Sequence, residues 1–252
     1  MSNKLAGRTA LITGGTTGIG FATAKLFLAE GARIAITGQN PSRLERAHAS
    51  LGAHTLAIQS DARHTVELSA LASRIKQAFG ALDILFLNAG VSPYADLVAS
   101  TEATFDEIFA VNTKSVFFSV QQLSPLMKPG GSIIVTTSIT NRIGMAQTHM
   151  YAASKAASAS LVRTLAGELA ARGIRVNALC PGAVTTDVAA STGLSETQLQ
   201  AVKDSVTAKI PLHRFARSDE LATAALFLAG SDSSYVTGQE LIVDGGWLGV
   251  GG

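Results

Sequence analysis

Short apolar segments, rich in Val, Ile and Leu, alternate along the chain with longer segments of helical periodicity. The short segments predict strands at residues 9–12, 33–37, 55–59, 84–87, 132–138, 175–179 and 240–243. The longer ones predict helices at residues 19–30, 41–51, 65–79, 104–126, 151–172 and 218–229. This alternation predicts an α/β fold, in which a doubly wound parallel sheet carries helices on both faces.

No internal repeat, low-complexity tract or linker divides the 252 residues. We therefore expect a single domain over residues 1–252, long enough to bury a large core. The composition agrees with this expectation, because 47% of the residues are hydrophobic and 15% are charged. Such a balance suits strands that are buried on both faces of a sheet.

Charge and cysteine usage narrow the expected partners and compartment. The formal net charge is +2 and the basic residues are dispersed, so a nucleic-acid partner is not expected. No apolar run approaches the roughly 20 residues of a membrane span, and the start of the sequence lacks the apolar segment of a signal peptide. Cys180 is the sole cysteine, which excludes an internal disulfide and fits the cytoplasm. The histidines show no metal-ligand spacing, so no metal is expected.

The turn after the first predicted strand carries Gly14, Gly18 and Gly20 in the pattern Gly-x-x-x-Gly-x-Gly. Glycine permits a tight turn and a close approach of the backbone to a pyrophosphate, whose charge is favoured at a helix N-terminus. Because the turn joins a predicted strand to a predicted helix, it indicates dinucleotide binding. The expected contacts are Gly14, Thr16, Thr17, Gly18, Ile19 and Gly20.

The second predicted strand is followed by Gly38, Gln39 and Asn40. An acidic residue here would bind a ribose 2′-hydroxyl and repel a 2′-phosphate. Its absence favours NADP as the cofactor, with Arg43 as a further candidate donor. NAD stays open as the alternative, because residues 38–40 contain no arginine.

Ligands of open α/β sheets bind beyond the carboxyl ends of the strands, so residues after the later strands are candidates as well. Asp61, beside Ala62, either accepts the adenine amino group or is a solvated turn residue. Asn112 interrupts an apolar helical face and needs a polar partner. The remaining candidate cofactor contacts follow the fourth and sixth strands and are Asn88, Ala89, Gly90, Pro181, Gly182, Val184 and Thr185.

Three side chains near the fifth strand suggest acid–base chemistry. Tyr151 and Lys155 are four residues apart, so they share one face of a predicted helix, whose start faces Ser138. A nearby ammonium favours the phenolate and would lower the tyrosine pKa from its ordinary value of about 10. Ser138 could then hold a substrate oxygen within reach of the phenol. Taken alone, a Tyr/Lys pair with this spacing is more often an exposed pair on a helix surface without a catalytic role. The assignment of acid–base chemistry therefore depends on the other motifs.

The segment between Pro181 and Pro211 contains no predicted strand. It combines a loop with a helical pattern that opens with a capping-box spacing at Ser195, and we interpret residues 183–212 as a substrate lid. A surface excursion without function is the alternative. His149 either faces the same cleft or is an ordinary loop histidine. The expected substrate-pocket residues are Tyr94, Ile139, Gly144, His149 and Leu194.

The sequence resembles the short-chain dehydrogenase/reductase family in its shorter, soluble branch. The resemblance covers essentially the whole chain and rests on motifs in the family's order and spacing: Thr13-Gly-x-x-x-Gly-x-Gly20, Asn88-Ala-Gly90, Asn112, Ser138, Tyr151-x-x-x-Lys155 and Pro181-Gly182. It implies a Rossmann-like sheet of seven strands in the order 3-2-1-4-5-6-7. It also implies reversible hydride transfer between a nicotinamide cofactor and an alcohol or ketone.

The resemblance further implies catalytic roles for four residues. Tyr151 donates a proton to the carbonyl oxygen, and Ser138 orients the carbonyl. Lys155 lowers the pKa of Tyr151 and holds the nicotinamide ribose, and Tyr151 is expected to contact the cofactor as well. Asn112 anchors a water that links Lys155 to solvent.

Substrate and assembly are less constrained by the sequence. The pocket walls are expected at residues 92–94, 139–149 and 184–194 and at Trp247. They are mostly apolar, which favours a hydrophobic ketone or secondary alcohol, although β-ketoacyl or sugar reduction stays open. A nucleotide-binding sensor without chemistry is a further alternative, but such relatives typically lose the tyrosine or the lysine. The resemblance also implies a homotetramer, formed by pairing the helices at 104–126 and 151–172.

Overall fold

A computed structural model describes residues 3–185 and 196–250, which fold around one parallel sheet with the strand order β3-β2-β1-β4-β5-β6-β7. The strands are β1 (Thr9–Thr13), β2 (Arg33–Gly38), β3 (Leu56–Gln59), β4 (Leu82–Leu87), β5 (Met127–Thr136), β6 (Arg175–Pro181) and β7 (Glu240–Val243). The helices are α1 (Gly18–Ala29), α2 (Pro41–Leu51), α3 (Val66–Phe79), α4 (Glu102–Phe109), α5 (Ser115–Leu123), α6 (His149–Leu169), α7 (Glu196–Thr207) and α8 (Ser218–Ala229). The predicted fold class and strand order are confirmed.

Both faces of the sheet are buried, as its apolar strands require. Leu11 packs on one face in a cluster with Val120 of α5 and Val162 of α6. Its neighbour Ile12 packs on the other face, in a cluster with Phe27 of α1 and with residues of α8. Side chains alternate across a strand, so each central strand contributes to both clusters. Burial of such side chains is the main stabilising contribution to the fold, at roughly 25 cal/mol per Å² of apolar surface.

The predicted helix at residues 104–126 is wrong in its middle. Two α-helices, α4 and α5, are separated by a π-helical turn at Ala110–Lys114, and a 3₁₀ turn follows at Ser124–Leu126. Asn112 lies in this turn and is fully buried. Its side chain forms hydrogen bonds to groups outside the helix. An uninterrupted α-helix would place this side chain elsewhere. Such insertions of one residue frequently mark functional sites.

Strand β5 also differs from its predicted bounds. It begins at Met127, earlier than expected, and ends at Thr136, so that Ser138 lies just beyond the strand. Ser138 instead caps a short 3₁₀ turn, Ile139–Asn141, and its side chain accepts a hydrogen bond from the Thr140 backbone N–H at 3.3 Å.

The connection after β6 contains α7, within the segment interpreted from the sequence as a lid. Val184 forms an isolated parallel bridge with Ala216, which ties the start of this connection to its end. Ser195 and Leu194 lie outside the described residues. Across residues 3–185 and 196–250, none of the helices has the length and apolar character that a membrane crossing requires.

Candidate active site

The glycine turn and the loop after β4 are locked together at the carboxyl ends of the strands. The Thr13 hydroxyl accepts hydrogen bonds from the backbone N–H groups of Asn88 and Ala89, at 3.0 and 3.1 Å. The Asn88 amide donates to the Gly14 carbonyl at 3.2 Å. A Cβ at Gly20 would collide with that same carbonyl and would lie 2.6 Å from Asn88 Nδ2. Glycine is therefore required at Gly20 by close packing.

A cavity of about 250 Å³ lies at this edge of the sheet. The ends of β1, β2, β3 and β4 contribute to its wall, as expected for a dinucleotide site. The predicted cofactor contacts that line it are Gly14, Thr16, Thr17, Gly38, Gln39, Asn40, Asp61, Ala62, Asn88, Ala89 and Gly90. Gly18, Ile19 and Gly20, at the start of α1, do not line it, and neither do the later contacts predicted at Tyr151, Lys155, Pro181, Gly182, Val184 and Thr185.

Arg63 lines the same cavity and was not predicted from the sequence. Its guanidinium binds the Asp61 carboxylate through Nε at 3.0 Å and Nη2 at 2.6 Å. This hydrogen-bonded ion pair lowers the pKa of Asp61 below its ordinary value. The sequence left Asp61 either as an acceptor for the adenine amino group or as a solvated turn residue, and in this structure its carboxylate is bound by Arg63. The signal available in the sequence was the position of Arg63, two residues after Asp61.

Tyr151, Lys155 and the end of β5 converge at the start of α6. The Lys155 ammonium donates to the Thr136 carbonyl at 2.7 Å and lies 5.8 Å from the centre of the Tyr151 ring. Ser138 is 8% exposed, and its hydroxyl accepts a hydrogen bond from Thr140 Oγ1 at 3.0 Å. Lys155 is 3% exposed, so Tyr151 and Lys155 are not a solvent-exposed pair on the surface of the helix.

Burial changes the proton affinity of both titratable groups. It raises the pKa of Tyr151 to about 12, although the neighbouring Ser138 hydroxyl opposes the effect. It lowers the pKa of Lys155 to about 8. The net pKa of Tyr151 is therefore raised in this structure, where the sequence led us to expect a lowered one, because desolvation of the phenol is the largest effect. The phenol is therefore protonated at neutral pH.

The Asn112 side chain has the hydrogen-bond partners that a polar residue on an apolar helical face requires. Its Oδ1 accepts from the Val91 N–H at 2.9 Å, and its Nδ2 donates to the Val91 carbonyl at 2.9 Å and to Ser154 Oγ at 3.0 Å. A Cβ at Gly90 would lie 3.3 Å from Asn112 Oδ1 and 3.4 Å from Lys155 Nζ. The four predicted catalytic residues thus lie in one region, with the side chains of Asn112 and Lys155 both close to Gly90.

A second cavity, of about 510 Å³, adjoins Ser138 and Tyr151. Tyr94 and Ile139 line it as predicted, and so do Gly182, Val184 and Thr185 from the predicted cofactor set. Ile143, Met145 and Thr148, from the expected wall at 139–149, also line it, and so does Trp247. The side chains that the prediction missed include Val202, Val206 and Phe215. Most of these are apolar, and several come from α7. Only the three-dimensional packing of α7 on the cleft identifies them.

Two predicted pocket residues do not line this cavity. Gly144 is absent from its wall, and His149 is turned toward Ser100, with Nε2 and Oγ 2.9 Å apart. The prediction failed for His149 because position in the sequence does not fix the direction of a side chain at a helix start. Leu194, the remaining predicted pocket residue, lies outside the described part of the chain.

The turn that carries Ser138 is held by a carboxylate from the last strand. Glu240 accepts hydrogen bonds from Thr137 Oγ1 and Asn141 Nδ2, both at 2.9 Å, and forms an ion pair with Arg142. Its side chain is only 6% exposed. Three residues around Ser138 are therefore tied to β7, which fixes the position of the turn relative to the sheet.

Comparisons with known proteins agree with this geometry. A family model described as enoyl-(acyl carrier protein) reductase matches residues 14–248. Oxidoreductase asL5 of Sarocladium schorii is 40% identical, over 96% of this chain and 96% of its own. The chain belongs to the short-chain dehydrogenase/reductase family.

Two further members extend the comparison. The 3-oxoacyl-[acyl-carrier-protein] reductase FabG of Thermotoga maritima is 35% identical, over 96% of this chain and 98% of its own. A solved structure of a Serratia marcescens short-chain dehydrogenase/reductase, in a doubly substituted form, superposes with a TM-score of 0.89 at 32% identity. The match covers 97% of this chain and 99% of that chain. As a member of this family of oxidoreductases, the chain is expected to use a nicotinamide cofactor.

Proposed function

We propose that this short-chain dehydrogenase/reductase catalyses reversible hydride transfer between NAD(P) and a small hydrophobic ketone or secondary alcohol. The observation that carries the proposal is the second cavity, where Ser138 and Tyr151 border a largely apolar space and Lys155 lies against the Tyr151 ring. An apolar pocket with a few polar groups at one end is suited to binding and orienting a carbonyl compound.

The chemistry follows from the protonation states of these side chains. A nicotinamide cofactor, when bound, would supply the hydride that the carbonyl carbon accepts in reduction. Tyr151 donates its proton to the carbonyl oxygen, and Ser138 orients that oxygen by hydrogen bonding. The phenolate that forms lies close to the Lys155 ammonium, whose charge opposes the desolvation that makes the free phenol a weak acid. Oxidation of the alcohol reverses each proton transfer.

The residues present fit a dinucleotide. Gly14, Gly38 and Gly90 line the first cavity, where the lack of a side chain lets a ligand approach the backbone. We propose that the adenosine end occupies the first cavity. We assign the nicotinamide end to the residues between the two cavities, where Lys155 holds the ribose and Thr185 the carboxamide.

NADP is the proposed preference, with NAD as the alternative. No acid follows β2 at residues 38–40, and Arg43 and Arg63 both line the first cavity. These two arginines offer donors that favour a 2′-phosphate over a 2′-hydroxyl, and the acids Asp61 and Glu107 line the same cavity. The expected result is a lower KM for NADPH than for NADH.

We also propose that residues 1–252 act as one domain, with the segment at 183–212 as a lid over the substrate. The contribution of α7 to the wall of the second cavity supports the lid. A homotetramer is proposed as well, through α4–α5 and α6. The exposed aromatic side chains of Phe105 and Phe117, on α4 and α5, support burial of that face.

Reduction of a β-ketoacyl thioester is the second candidate, favoured by the similarity to the Thermotoga FabG. It uses the same catalytic residues but a different substrate. A β-ketoacyl thioester therefore belongs in the same test as simple ketones.

The test is the rate of NADPH absorbance loss with a panel of aliphatic ketones, aromatic ketones and a β-ketoacyl thioester. The Tyr151→Phe variant is expected to reduce kcat by at least about 10²-fold, because it lacks the proton donor. Tyr235→Phe is the matched control, since Tyr235 is fully exposed. Activity retained by Tyr151→Phe would refute the mechanism, and activity confined to the thioester would select the second candidate.

A further inference from the structure

Arg63 lies in the part of the first cavity where a 2′-phosphate would be distinguished from a 2′-hydroxyl on the cofactor's ribose. Residues directly after the second strand of such folds contact the ribose 2′ position. Gln39 stands there in this chain, and Arg63 Nη2 lies 3.4 Å from its Oε1. The Arg63 guanidinium therefore reaches the place where a 2′-phosphate would bind, although Arg63 belongs to the loop after β3.

The hydrogen-bonding capacity of this guanidinium is only partly used. Asp61 takes the Nε and Nη2 donors at 3.0 and 2.6 Å. The other hydrogen bonds of the guanidinium are longer. Nη1 lies 3.5 Å from Glu107 Oε1, and Nη2 lies 3.4 Å from Gln39 Oε1. Since arginine presents five donors in a rigid fork, the side facing Gln39 and Glu107 keeps donors available for a phosphate.

The loop holds Arg63 in this orientation before any ligand arrives. The Arg63 backbone N–H donates to Asp61 Oδ1 at 3.0 Å, and the Asp61 N–H donates to Glu67 Oε2 at 2.9 Å. The acids around the guanidinium are Asp61, whose side chain is 17% exposed, and Glu107, which is half exposed. An orientation fixed in advance reduces the entropy lost on binding.

We propose that Arg63 is the specificity-determining residue for the adenosine 2′-phosphate, supplied from the β3 loop and oriented by Asp61. The proposal rests on the proposed use of NADP. Arg63 donates to the phosphate from the edge of its guanidinium that faces Gln39, while Asp61 keeps its contact with Nε. With a 2′-hydroxyl in that place, Arg63 stays paired with Asp61 and adds little affinity, because a neutral acceptor gives a weaker hydrogen bond than a phosphate.

The experiment is isothermal titration calorimetry of NADPH and NADH against the wild-type chain, Arg63→Gln, Arg63→Lys and Arg46→Gln. Arg46 is an exposed arginine on α2 that does not line the cavity, so it controls for net charge. Arg63→Gln is expected to raise the Kd for NADPH by about tenfold or more, which is the loss of a charge-assisted hydrogen bond. The Kd for NADH is expected to change by less than about twofold. Arg63→Lys keeps the charge without the fork and is expected to fall between wild type and Arg63→Gln.

The outcomes separate this inference from the proposed function. An equal weakening of NADPH and NADH in Arg63→Gln would assign Arg63 a merely structural role and overturn the inference. An unchanged Kd for NADPH, or the same weakening in Arg46→Gln, would also overturn it, while the proposed oxidoreductase function would stand. Failure of the wild-type chain to bind either cofactor would overturn both. Thermal unfolding of each variant confirms that only folded protein is compared.

Discussion

Replacing Asn112 with alanine tests whether the π-helical turn between α4 and α5 stabilises the arrangement of the active-site residues. The Asn112 side chain is fully buried and makes three hydrogen bonds, two to the Val91 backbone and one to Ser154. Asn112→Ala removes all three and leaves the Val91 N–H and carbonyl without these partners. The loop after β4 then loses its connection to α6.

The expected loss of stability follows from these contacts. Each net hydrogen bond contributes about 0.5–1.5 kcal/mol, so three of them amount to about 1.5–4.5 kcal/mol. For a chain of this size, each kcal/mol lowers the melting temperature by about 2–4 °C. Differential scanning calorimetry of Asn112→Ala is therefore expected to show a fall of at least about 4 °C. The kcat is expected to fall as well, because Gly90 and Lys155 adjoin the Asn112 side chain.

Two further variants separate hydrogen bonding from packing. Gln121→Ala removes an exposed amide from α5 and is expected to leave the melting temperature nearly unchanged. Asn112→Asp keeps the shape and the acceptor for the Val91 N–H, but places an oxygen against the Val91 carbonyl. It is therefore expected to be destabilised although its volume is retained. A melting temperature for Asn112→Ala equal to that of Gln121→Ala would refute the reasoning.

Three other substitutions or conditions, and one measurement of assembly, give further tests. Gly20→Ala introduces a Cβ against the Gly14 carbonyl, and we expect urea denaturation to show a loss of about 1–3 kcal/mol; unchanged stability would contradict the close packing. Burial lowers the pKa of Lys155 to about 8, so its ammonium is lost as the pH rises, and kcat/KM for carbonyl reduction should decline above about pH 8. A profile that stays flat to about pH 10 would show that the charge is not needed. Glu240→Gln weakens the ion pair with the half-exposed Arg142. Because Glu240 holds the turn that carries Ser138, kcat should fall by a larger factor than cofactor affinity. Equal losses of kcat and of cofactor affinity would contradict a local role for Glu240. Sedimentation equilibrium is expected to give a tetramer, and a monomer would reject the proposed assembly.

The sequence predicted the fold well because its signals are local. Helix α2 begins at Pro41 and ends at Leu51, as predicted from its periodicity and from the proline at its start. Strand order followed from the family motifs, which lie at the carboxyl ends of the strands. The sequence alone therefore places the glycine turn, the loop at 88–90 and Ser138 at one edge of the sheet.

The features that were missed depend on contacts between distant parts of the chain. The π-helical turn forms around Asn112, whose partners Val91 and Ser154 are 21 and 42 residues away. Arg63 reaches Gln39 and Glu107 across the cavity, and no periodic pattern predicts that reach. The raised pKa of Tyr151 depends on desolvation, which the Tyr/Lys spacing does not reveal.

These distant contacts have a common consequence for function. Lys155 donates to the Thr136 carbonyl, Asn112 holds the Val91 backbone, and Glu240 holds the residues on either side of Ser138. The acid–base groups are thus positioned through polar contacts to loops and turns at the strand ends, while the sheet beneath them is packed by apolar side chains. Substitutions in the apolar core are therefore expected to change stability first. Substitutions at Asn112 or Glu240 are expected to change the rate of proton transfer as well, because they move the loops that carry the reacting hydroxyls.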